Sequence, residues 1–423
     1  MIHPPVTLAI IGAGKRGEAY AAYAKLHPDQ LRVVAVAEPR DLLRERMAAG
    51  FGIPANRCYD GYESFAAEAK FCDAVAICTQ DRMHLAPIEA LAPKGYAILL
   101  EKPMSPSLAE CERIIECVKE HGNLFACCHV LLYTELTQKL RALLHDGTIG
   151  DIVSIQHLEP VAWWHQAHSF VRGNWNNSAA SSFMLLAKSC HDMDWLRHIV
   201  GGHCRQVASF GSLRHFKPSE KPAGAADRCL ECPPAIESTC PYSAKRLYLD
   251  HFGRDWIIDY LNDVITGGDG TRGNVTAALA TGPYGKCVYA CDNDVVDNQT
   301  VMLEFEGPVT ATFTMTAFTP TIHRATRIFG TRGFIETDFI KIKAFDFLTE
   351  TETVHDTAID PDSATAASGH GGGDYFLMQA FVHAVATGDT SGIFSGPDAT
   401  LESHRIVFAA EQARLEKRIV SFA

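Results

Sequence analysis

The tripeptide Glu101-Lys102-Pro103 places an acid, a base and a rigid turn in consecutive positions. It directly follows the apolar run YAILL, which we predict to be a strand. Open α/β sheets bind their ligands at the carboxyl ends of their strands. A lysine partly removed from water there has its ammonium form disfavoured, and it can donate a proton to a hydroxyl or help to accept one. Lys102 is therefore the first catalytic candidate.

A glycine-rich turn lies near the start of the chain. The sequence IIGAGKRG fits G-x-G-x-x-G with Gly12, Gly14 and Gly17, after the apolar run VTLAII and before the helical stretch EAYAAYAKL. Strand, turn and helix in this order are the context of a dinucleotide-binding fingerprint. The glycines allow a close approach to a pyrophosphate, and the helix N-terminus stabilises its charge. We predict a dinucleotide site here that includes Lys15 and Arg16.

Glu38 ends the second predicted strand, LRVVAVAE. Its offset from the glycine turn is close to the roughly 20 residues expected for the acid that binds the cofactor ribose. An acid here bonds the ribose 2′-hydroxyl and repels a 2′-phosphate, which favours NAD. Arg40 follows closely and could tolerate NADP.

Composition excludes several classes of protein. The chain has 423 residues, which favours two domains, and a net charge of −12 with no basic cluster, which argues against a nucleic-acid partner. No apolar run reaches about 18 residues, so we expect no membrane span. The start, MIHPPVTLAIIGAG, lacks the basic region of a signal peptide and is interpreted as a strand. Many of the 14 cysteines lie in apolar stretches, as expected for reduced, buried thiols of a cytoplasmic enzyme.

The element pattern changes along the chain. Strands and helices alternate from Val6 to about Cys128, which predicts an α/β domain with a parallel sheet over residues 1–130. Beyond Thr134, alternating polar and apolar runs predict an α+β domain over residues 131–423 with a large, mainly antiparallel open sheet and an insertion at about 212–245. Residues 351–373 are interpreted as a polar connection before a helix capped by Asp374. A sheet face that needs a cover favours a homo-oligomer.

Together these motifs resemble the Gfo/Idh/MocA family, which includes glucose–fructose oxidoreductase and inositol dehydrogenase. The matching segments are GAGKRG, Glu38-Pro39, Glu101-Lys102-Pro103, His191-Asp192-Met193-Asp194 and the closing SGPDATLESHRIVFAAEQARLEKRIV. The resemblance implies an N-terminal Rossmann domain and an α/β domain with an open sheet that often forms dimers or tetramers. It also implies a bound nicotinamide dinucleotide and a sugar, cyclitol or related polyol as substrate.

The resemblance also implies roles for residues near the cofactor. Lys102 would lie near the nicotinamide and the reacting hydroxyl, and Glu101 would orient it or contact the nicotinamide ribose. Pro103 is commonly cis in this family. Thr79 and His84, in CTQDRMH, resemble the family's loop over the cofactor, although Thr79 could instead cap a helix.

His191 is the second catalytic candidate. The apolar positions of AKSCHDMDWLRHIVGG predict a helix in which His191 and Asp194 lie on adjacent turns. His191 aligns with the family's D-x-x-x-H-x-x-D element, where it would be a general base or substrate ligand. The first aspartate of that element is replaced by Ala187, followed by Lys188. Lys188 either binds the substrate hydroxyl directly or indicates an anionic or unusually substituted substrate.

The segment PVAWWHQAHSFVRGNWNNS combines aromatic and polar side chains. Aromatic faces match the apolar faces of sugar rings, and histidine, arginine and asparagine hold hydroxyls. A packed loop with core tryptophans is the alternative. The substrate candidates of this segment are Trp163, His165, His168, Arg172 and Trp175. His129 and Tyr133 are further candidates, and a structural role for His129 is equally plausible.

A separate cysteine group lies in RCLECPPAIESTCP. Cys229, Cys232 and Cys240, with His215 nearby in sequence, could form a Cys₃His structural zinc site. The segment has little apolar content, so a metal could order it. A disulfide or free thiols are the alternatives.

These observations favour an NAD(P)-dependent oxidoreductase that acts on a secondary alcohol of a sugar-like molecule. Lys102, with His191 and Lys188, would handle the hydroxyl proton. One alternative is an NAD-dependent glycoside hydrolase that uses transient oxidation and elimination. Another is a dinucleotide-binding sensor without catalysis.

Overall fold

A six-stranded parallel sheet forms the first part of the fold. The computed structural model describes residues 4–307, 309–359 and 369–422. The sheet has the order β3-β2-β1-β4-β5-β6. Its strands are β1 (Val6–Ile11), β2 (Leu31–Ala37), β3 (Cys58–Tyr59), β4 (Ala74–Ile77), β5 (Ala97–Leu100) and β6 (Phe125–Cys127). This order is that of a dinucleotide-binding Rossmann sheet, with the reversal beside β1.

Helices cover both faces of this sheet. They are α1 (Lys15–Ala21), α2 (Tyr23–Leu26), α3 (Asp41–Phe51), α4 (Tyr62–Ala67), α5 (Leu85–Leu91) and α6 (Leu108–Glu120). Leu8 and Ile10 of β1 belong to one apolar core, and Ala9 and Ile11 belong to the other. Burial on both faces explains why β1 is an unbroken apolar run rather than an alternating one.

A nine-stranded mixed sheet forms the second part. Its order is β14-β13-β12-β11-β7-β10-β9-β8-β15, and β7 and β10 are its parallel pair. The strands are β7 (Ile152–Pro160), β8 (Cys204–Ser212), β9 (Asn298–Phe305), β10 (Thr310–Thr316), β11 (Ala325–Gly330), β12 (Gly333–Thr337), β13 (Lys341–Asp346), β14 (Thr351–Asp356) and β15 (Val420–Ser421). The predicted fold class, with a parallel sheet and a mainly antiparallel open sheet, is confirmed.

One face of the mixed sheet packs against helices, and the other remains open. The helices of this part are α7 (Glu135–His145), α8 (Trp163–His165), α9 (Met184–Ala187), α10 (Cys190–Val200), α11 (Pro234–Glu237), α12 (Trp256–Thr266), α13 (Arg272–Thr281), α14 (Gly373–Thr387) and α15 (Pro397–Glu416). Trp195 of α10 and Ile406 of α15 share a core with Val301 and Phe313 of the sheet. Apolar side chains on the open face, among them Phe210 and Met302, are 68% and 54% exposed.

Two sequence interpretations change. Residues 351–356, interpreted as connection, form the exposed edge strand β14 paired with β13, because threonine and valine favour extended backbone. Residues 360–368 lie outside the described residues. The segment between β8 and β9, which contains the predicted insertion, includes the helices α11 to α13. The side chain of Asp374 does not cap α14, whose N-cap is Gly372. None of the described helices is long and apolar enough to cross a membrane.

Candidate functional site

The glycine turn between β1 and α1 forms a cradle that excludes side chains. Gly12 has φ +95°, and a Cβ atom on it would lie 2.7 Å from the carbonyl oxygen of Cys78. A Cβ atom on Gly17 would collide with the carbonyl oxygen of Gly12. Only glycine therefore fits both positions. The cradle leaves backbone beside the start of α1 open to a close ligand, as a pyrophosphate requires.

Glu38 lies beside this turn as a buried, ionised acid. Its carboxylate accepts hydrogen bonds from the Ala13 amide at 2.9 Å and from the Arg40 Nε at 2.7 Å. Burial opposes ionisation, but the hydrogen bonds from Arg40 outweigh it and lower the pKa of Glu38. An ionised acid at the end of β2 fits a ribose hydroxyl as its ligand.

Glu101 is the centre of a buried ion network. Its carboxylate accepts from Arg16 Nε at 2.5 Å and from the Tyr20 hydroxyl at 2.8 Å. Arg16 also pairs with Asp374 of α14, with Nη2 and Oδ1 2.6 Å apart. Burial favours the neutral acid, yet the charges of Arg16 and Lys102 lower the pKa of Glu101. Arg16, a predicted cofactor residue, thus joins α1, β5 and α14.

Lys102 extends from the end of β5 toward the α9–α10 junction. Its Nζ donates a hydrogen bond to the backbone carbonyl of Ala187, 2.9 Å away. The Lys102–Pro103 peptide bond is cis. His84 lies under this turn, with Nδ1 3.0 Å from the carbonyl oxygen of Pro103 and Nε2 3.1 Å from that of Thr79. The hydroxyl of Thr79 donates to the Met83 carbonyl. His84 and Thr79 therefore shape the loops that hold Lys102.

Three histidines line the space next to Lys102. The ring centroid of His191 lies 5.8 Å from that of His129 and 5.7 Å from that of His370. Burial, followed by the charge of Lys102, lowers the pKa of His191 well below its usual value and that of His129 to about 3. Nδ1 of His191 and both ring nitrogens of His129 have no hydrogen-bond partner among the described residues. Neutral, unpartnered imidazoles can accept a proton or a hydrogen bond from a ligand.

Asp194 lies behind this cluster rather than in contact with His191. Its Oδ2 is 3.9 Å from Nδ1 of His129, and the residue is buried. Burial raises its pKa to about 6. Asp194 therefore supports His129 from behind and is not exposed to a ligand.

Lys188 belongs to a second charged cluster, which the sequence did not reveal. Its Nζ pairs with Oε1 of Glu159 at 3.0 Å, and Arg324 Nη2 pairs with Oε2 at 2.8 Å. Arg324 also pairs with Asp192, which accepts from His157 as well. Burial disfavours the Asp192 charge, but Arg324 lowers its pKa. His157 and Glu159, polar residues on the inward side of β7, were the signal available in the sequence.

The aromatic segment divides between the cleft and the insertion. The His165 ring packs between those of Trp164 and Phe170, at centroid distances of 5.4 and 5.6 Å, and burial followed by the charge of Lys188 lowers its pKa well below the usual value. His168 bonds the Tyr248 hydroxyl at 2.8 Å and stacks on Tyr284. Arg172 is buried and donates to two backbone carbonyls, those of Lys286 and Tyr242, each at 2.7 Å.

The remaining substrate candidates make packing contacts. Trp163 packs on Tyr242, and Trp175 lies 36% exposed against Phe170. The Tyr133 hydroxyl is 2.8 Å from Ser395 Oγ and accepts from the Phe394 amide.

The predicted Cys₃His zinc site is not supported. Within the residues that the structure describes, no three His, Cys, Asp or Glu side chains form a group that could hold a metal ion. His215 packs among aromatic rings, and its Nε2 lies 3.0 Å from the Tyr289 hydroxyl. The His215 ring therefore faces Tyr289 and not the three cysteines. Cys229, Cys232 and Cys240 are free thiols and line a cavity of about 20 Å³ together with Cys287.

Comparison with protein families gives the identity of both parts. The GFO_IDH_MocA model, described as "Oxidoreductase family, NAD-binding Rossmann fold", matches residues 6–129, and its companion, "Oxidoreductase family, C-terminal alpha/beta domain", matches residues 141–422. The chain belongs to the Gfo/Idh/MocA oxidoreductase family. The predicted resemblance is confirmed, and the glycine cradle and Glu38 fit the NAD that this family binds.

Individual relatives are distant. The chain is 24% identical over 214 residues to "2,7-anhydro-N-acetylneuraminate hydratase" of Escherichia coli (strain K12), an alignment that covers 50% of this chain and 55% of the relative. It is 27% identical over 210 residues to "Myo-inositol 2-dehydrogenase" of Thermotoga maritima, covering 49% and 58%. The chain thus spans little more than half the length of these two curated relatives.

Solved structures extend the fold similarity to the whole chain. An oxidoreductase from Agrobacterium radiobacter, solved in complex with NAD+, L-tartaric acid and magnesium, superposes with a TM-score of 0.70 at 15% identity, covering 98% of both chains. At this identity the comparison establishes the fold.

Proposed function

We propose that this protein oxidises or reduces a secondary alcohol of a sugar, cyclitol or related polyol with a nicotinamide dinucleotide. The observation that carries the proposal is the position of Lys102 at the carboxyl end of β5, beside buried neutral His191. Similarity to a myo-inositol 2-dehydrogenase supports a polyol substrate. When bound, the nicotinamide ring exchanges two electrons and a hydrogen with the substrate carbon.

The chain's own side chains handle the hydroxyl proton in this proposal. The Lys102 ammonium donates to the substrate oxygen in place of its present acceptor, the Ala187 carbonyl. His191 passes on the proton that the hydroxyl loses: Nδ1 has no partner among the described residues and can take the proton up, and the lowered pKa of the buried ring means that the proton does not stay there. Lys188 and His165 border the same space and bind further substrate oxygens.

The preference between NAD and NADP depends on Glu38, at the end of β2. The ionised Glu38 carboxylate would repel a 2′-phosphate, which supports NAD over NADP. Arg40 is held by that same carboxylate and is not free to bind a phosphate.

A redox-neutral reaction is the second candidate. It is favoured by similarity to a hydratase, because adding water to a substrate changes no net oxidation state. The same Lys102 and His191 would move protons at a carbon made acidic by transient oxidation of its neighbour, and NAD would be regenerated in each cycle.

One experiment separates these functions. NADH absorbance is followed with NAD and a panel of free sugars, cyclitols and glycosides, and products are analysed in parallel. Steady NADH growth with one substrate class supports the dehydrogenase. Product without NADH growth supports the redox-neutral enzyme. Tight NAD binding without turnover of any compound leaves a substrate outside the panel or a sensor role.

We also propose that a second copy of the chain covers the open face of the mixed sheet. Phe210 of β8 and Met302 of β9 expose apolar side chains on neighbouring strands. Exposed apolar patches of this kind are typical of interaction surfaces. Light scattering on the wild type and on Phe210→Lys/Met302→Lys tests this, and an unchanged mass for the variant contradicts it.

A further inference from the structure

Helix α12 and the turn after it, residues 256–268, bridge two helices of the NAD-binding part; we call this segment the strap. Asp263 of the strap pairs with Lys15, the first residue of α1, with Oδ2 and Nζ 3.1 Å apart. The carbonyl of Gly268 accepts a hydrogen bond of 2.6 Å from Arg46 of α3. Helices α1 and α3 follow the strands that end at the glycine cradle and at Glu38. The strap therefore spans the dinucleotide cleft from one wall to the other.

The contact with α3 is close. Gly268 has φ +112°, and a Cβ atom on it would lie 3.3 Å from Leu43 Cδ2 and 3.4 Å from Arg46 Nη1. A left-handed backbone with so little free space suits glycine and seats the strap against α3. The opposite end is anchored by apolar packing, since Ile258 and Leu261 are buried in the insertion's own core.

The strap also presents aromatic rings away from that core. Trp256 and Tyr260 are 73% and 43% exposed, and they lie one helical turn apart. The ring of Tyr260 is centred 5.9 Å from Nζ of Lys15, beside the glycine cradle. Exposed aromatic faces at this edge are suited to pack against a nucleotide ring or ribose.

We propose that the strap is the outer wall of the dinucleotide site and slows release of the bound cofactor. Tyr260 contacts the cofactor, and the Lys15–Asp263 and Arg46–Gly268 contacts hold the strap closed. The proposal needs NAD binding, which the family establishes, and is independent of the substrate. It predicts a cofactor retained through many turnovers, as a redox-neutral enzyme would require.

Release rates test the strap directly. The protein is loaded with NADH and mixed with excess NAD+ in a stopped-flow instrument, and the loss of NADH fluorescence gives the release rate. The double variant Asp263→Ala/Arg46→Ala should release NADH about tenfold faster than wild type, and Tyr260→Ala should do so as well. The matched control Asp259→Ala/Arg32→Ala removes an exposed acid of the same helix and an exposed arginine of β2, and it should release at the wild-type rate. Equal rates for wild type and both strap variants overturn the proposal.

A measurement on the wild type covers the case in which a variant does not fold. Hydrogen exchange of residues 256–268 is compared with and without saturating NAD+. Slower exchange with NAD+ supports the strap, and unchanged exchange overturns it.

Discussion

Lys102 Nζ donates to the backbone carbonyl of Ala187 at 2.9 Å, so the lysine contacts the very residue where the family pattern has an aspartate. A carbonyl accepts the hydrogen bond but carries no net charge. After burial, the charge of Lys102 is the next cause that lowers the pKa of both His191 and His129, and no carboxylate at position 187 opposes it. The Ala187 position thus favours neutral histidines beside a charged lysine.

Lys102→Met should lower kcat by about 10²–10⁴-fold, the usual contribution of a positioned acid or base. NAD affinity should stay unchanged, because the glycine cradle and Glu38 are intact. Steady-state kinetics and fluorescence titration measure the two quantities. Lys70→Met, at an exposed lysine of the same part of the fold, is the control and should retain full activity. A variant at position 102 with wild-type kcat would remove Lys102 from the proposed chemistry.

Lys188→Met should raise KM about tenfold or more, since it removes a charged donor at the substrate space. Its effect on stability should be small, because Glu159 keeps Arg324 at 2.8 Å. If the substrate is anionic, KM should rise more for it than for a neutral analogue.

Glu159→Ala provides the contrast to this variant. It leaves Lys188 without its partner and Arg324 with Asp192 alone, and breaking a buried ion pair costs roughly 3–5 kcal/mol of unfolding free energy. Urea unfolding measures the structural role of the charged cluster, and KM measures the role of Lys188 in substrate binding. An unchanged KM for Lys188→Met would remove Lys188 from substrate binding and leave it only as the ion-pair partner of Glu159.

Local motifs made much of the fold and the cofactor cradle predictable. The glycine turn, Glu38 and Glu101-Lys102-Pro103 each lie within a single strand-turn-helix unit, so neighbouring residues in sequence carry the signal. The sheet classes followed from unbroken and alternating apolar runs. The domain boundary near residue 130 and the individual substrate roles stay predictions.

Long-range pairs were not predictable from the sequence. Asp374 resembled a helix cap, but it binds Arg16 of α1, which lies at the other end of the chain. Glu159 and Arg324 come from different strands and connections, and no short motif links them. The zinc prediction failed for the same reason, since spacing along the chain did not show that His215 turns to Tyr289.

Glu38→Ser should shift cofactor preference toward NADP. The substitution removes the carboxylate that repels a 2′-phosphate and frees Arg40 from its present hydrogen bonds. Affinity for NADP should rise about tenfold, as expected for one charge-assisted hydrogen bond, while affinity for NAD falls. Titrations of both cofactors measure this. Adding Arg40→Ala to the variant should remove the NADP gain; if the gain persists, another group binds the phosphate.

Asp194→Asn should change how stability depends on pH. Burial raises the pKa of Asp194 to about 6, above the ordinary aspartate value of 3.8. From pH 4 to 6 the unfolded carboxyl ionises while the folded one stays protonated, so wild type loses stability as pH rises. A difference of about two pKa units corresponds to about 2–3 kcal/mol. Asparagine does not titrate, so the variant's unfolding free energy relative to wild type should rise by this amount from pH 4 to pH 7.

Urea unfolding at both pH values measures that difference. The control is Asp29→Asn, at an exposed position, which should show no such rise. If the Asp194→Asn difference is instead equal at pH 4 and pH 7, the buried carboxyl ionises as readily as in the unfolded chain. Arg197, whose Nε lies 3.8 Å from Asp194 Oδ1, would then offset the burial in full. Asp194 would then keep its charge behind His129 down to about pH 4, and the histidine cluster would face a fixed anion over a range in which the raised pKa predicts a neutral acid.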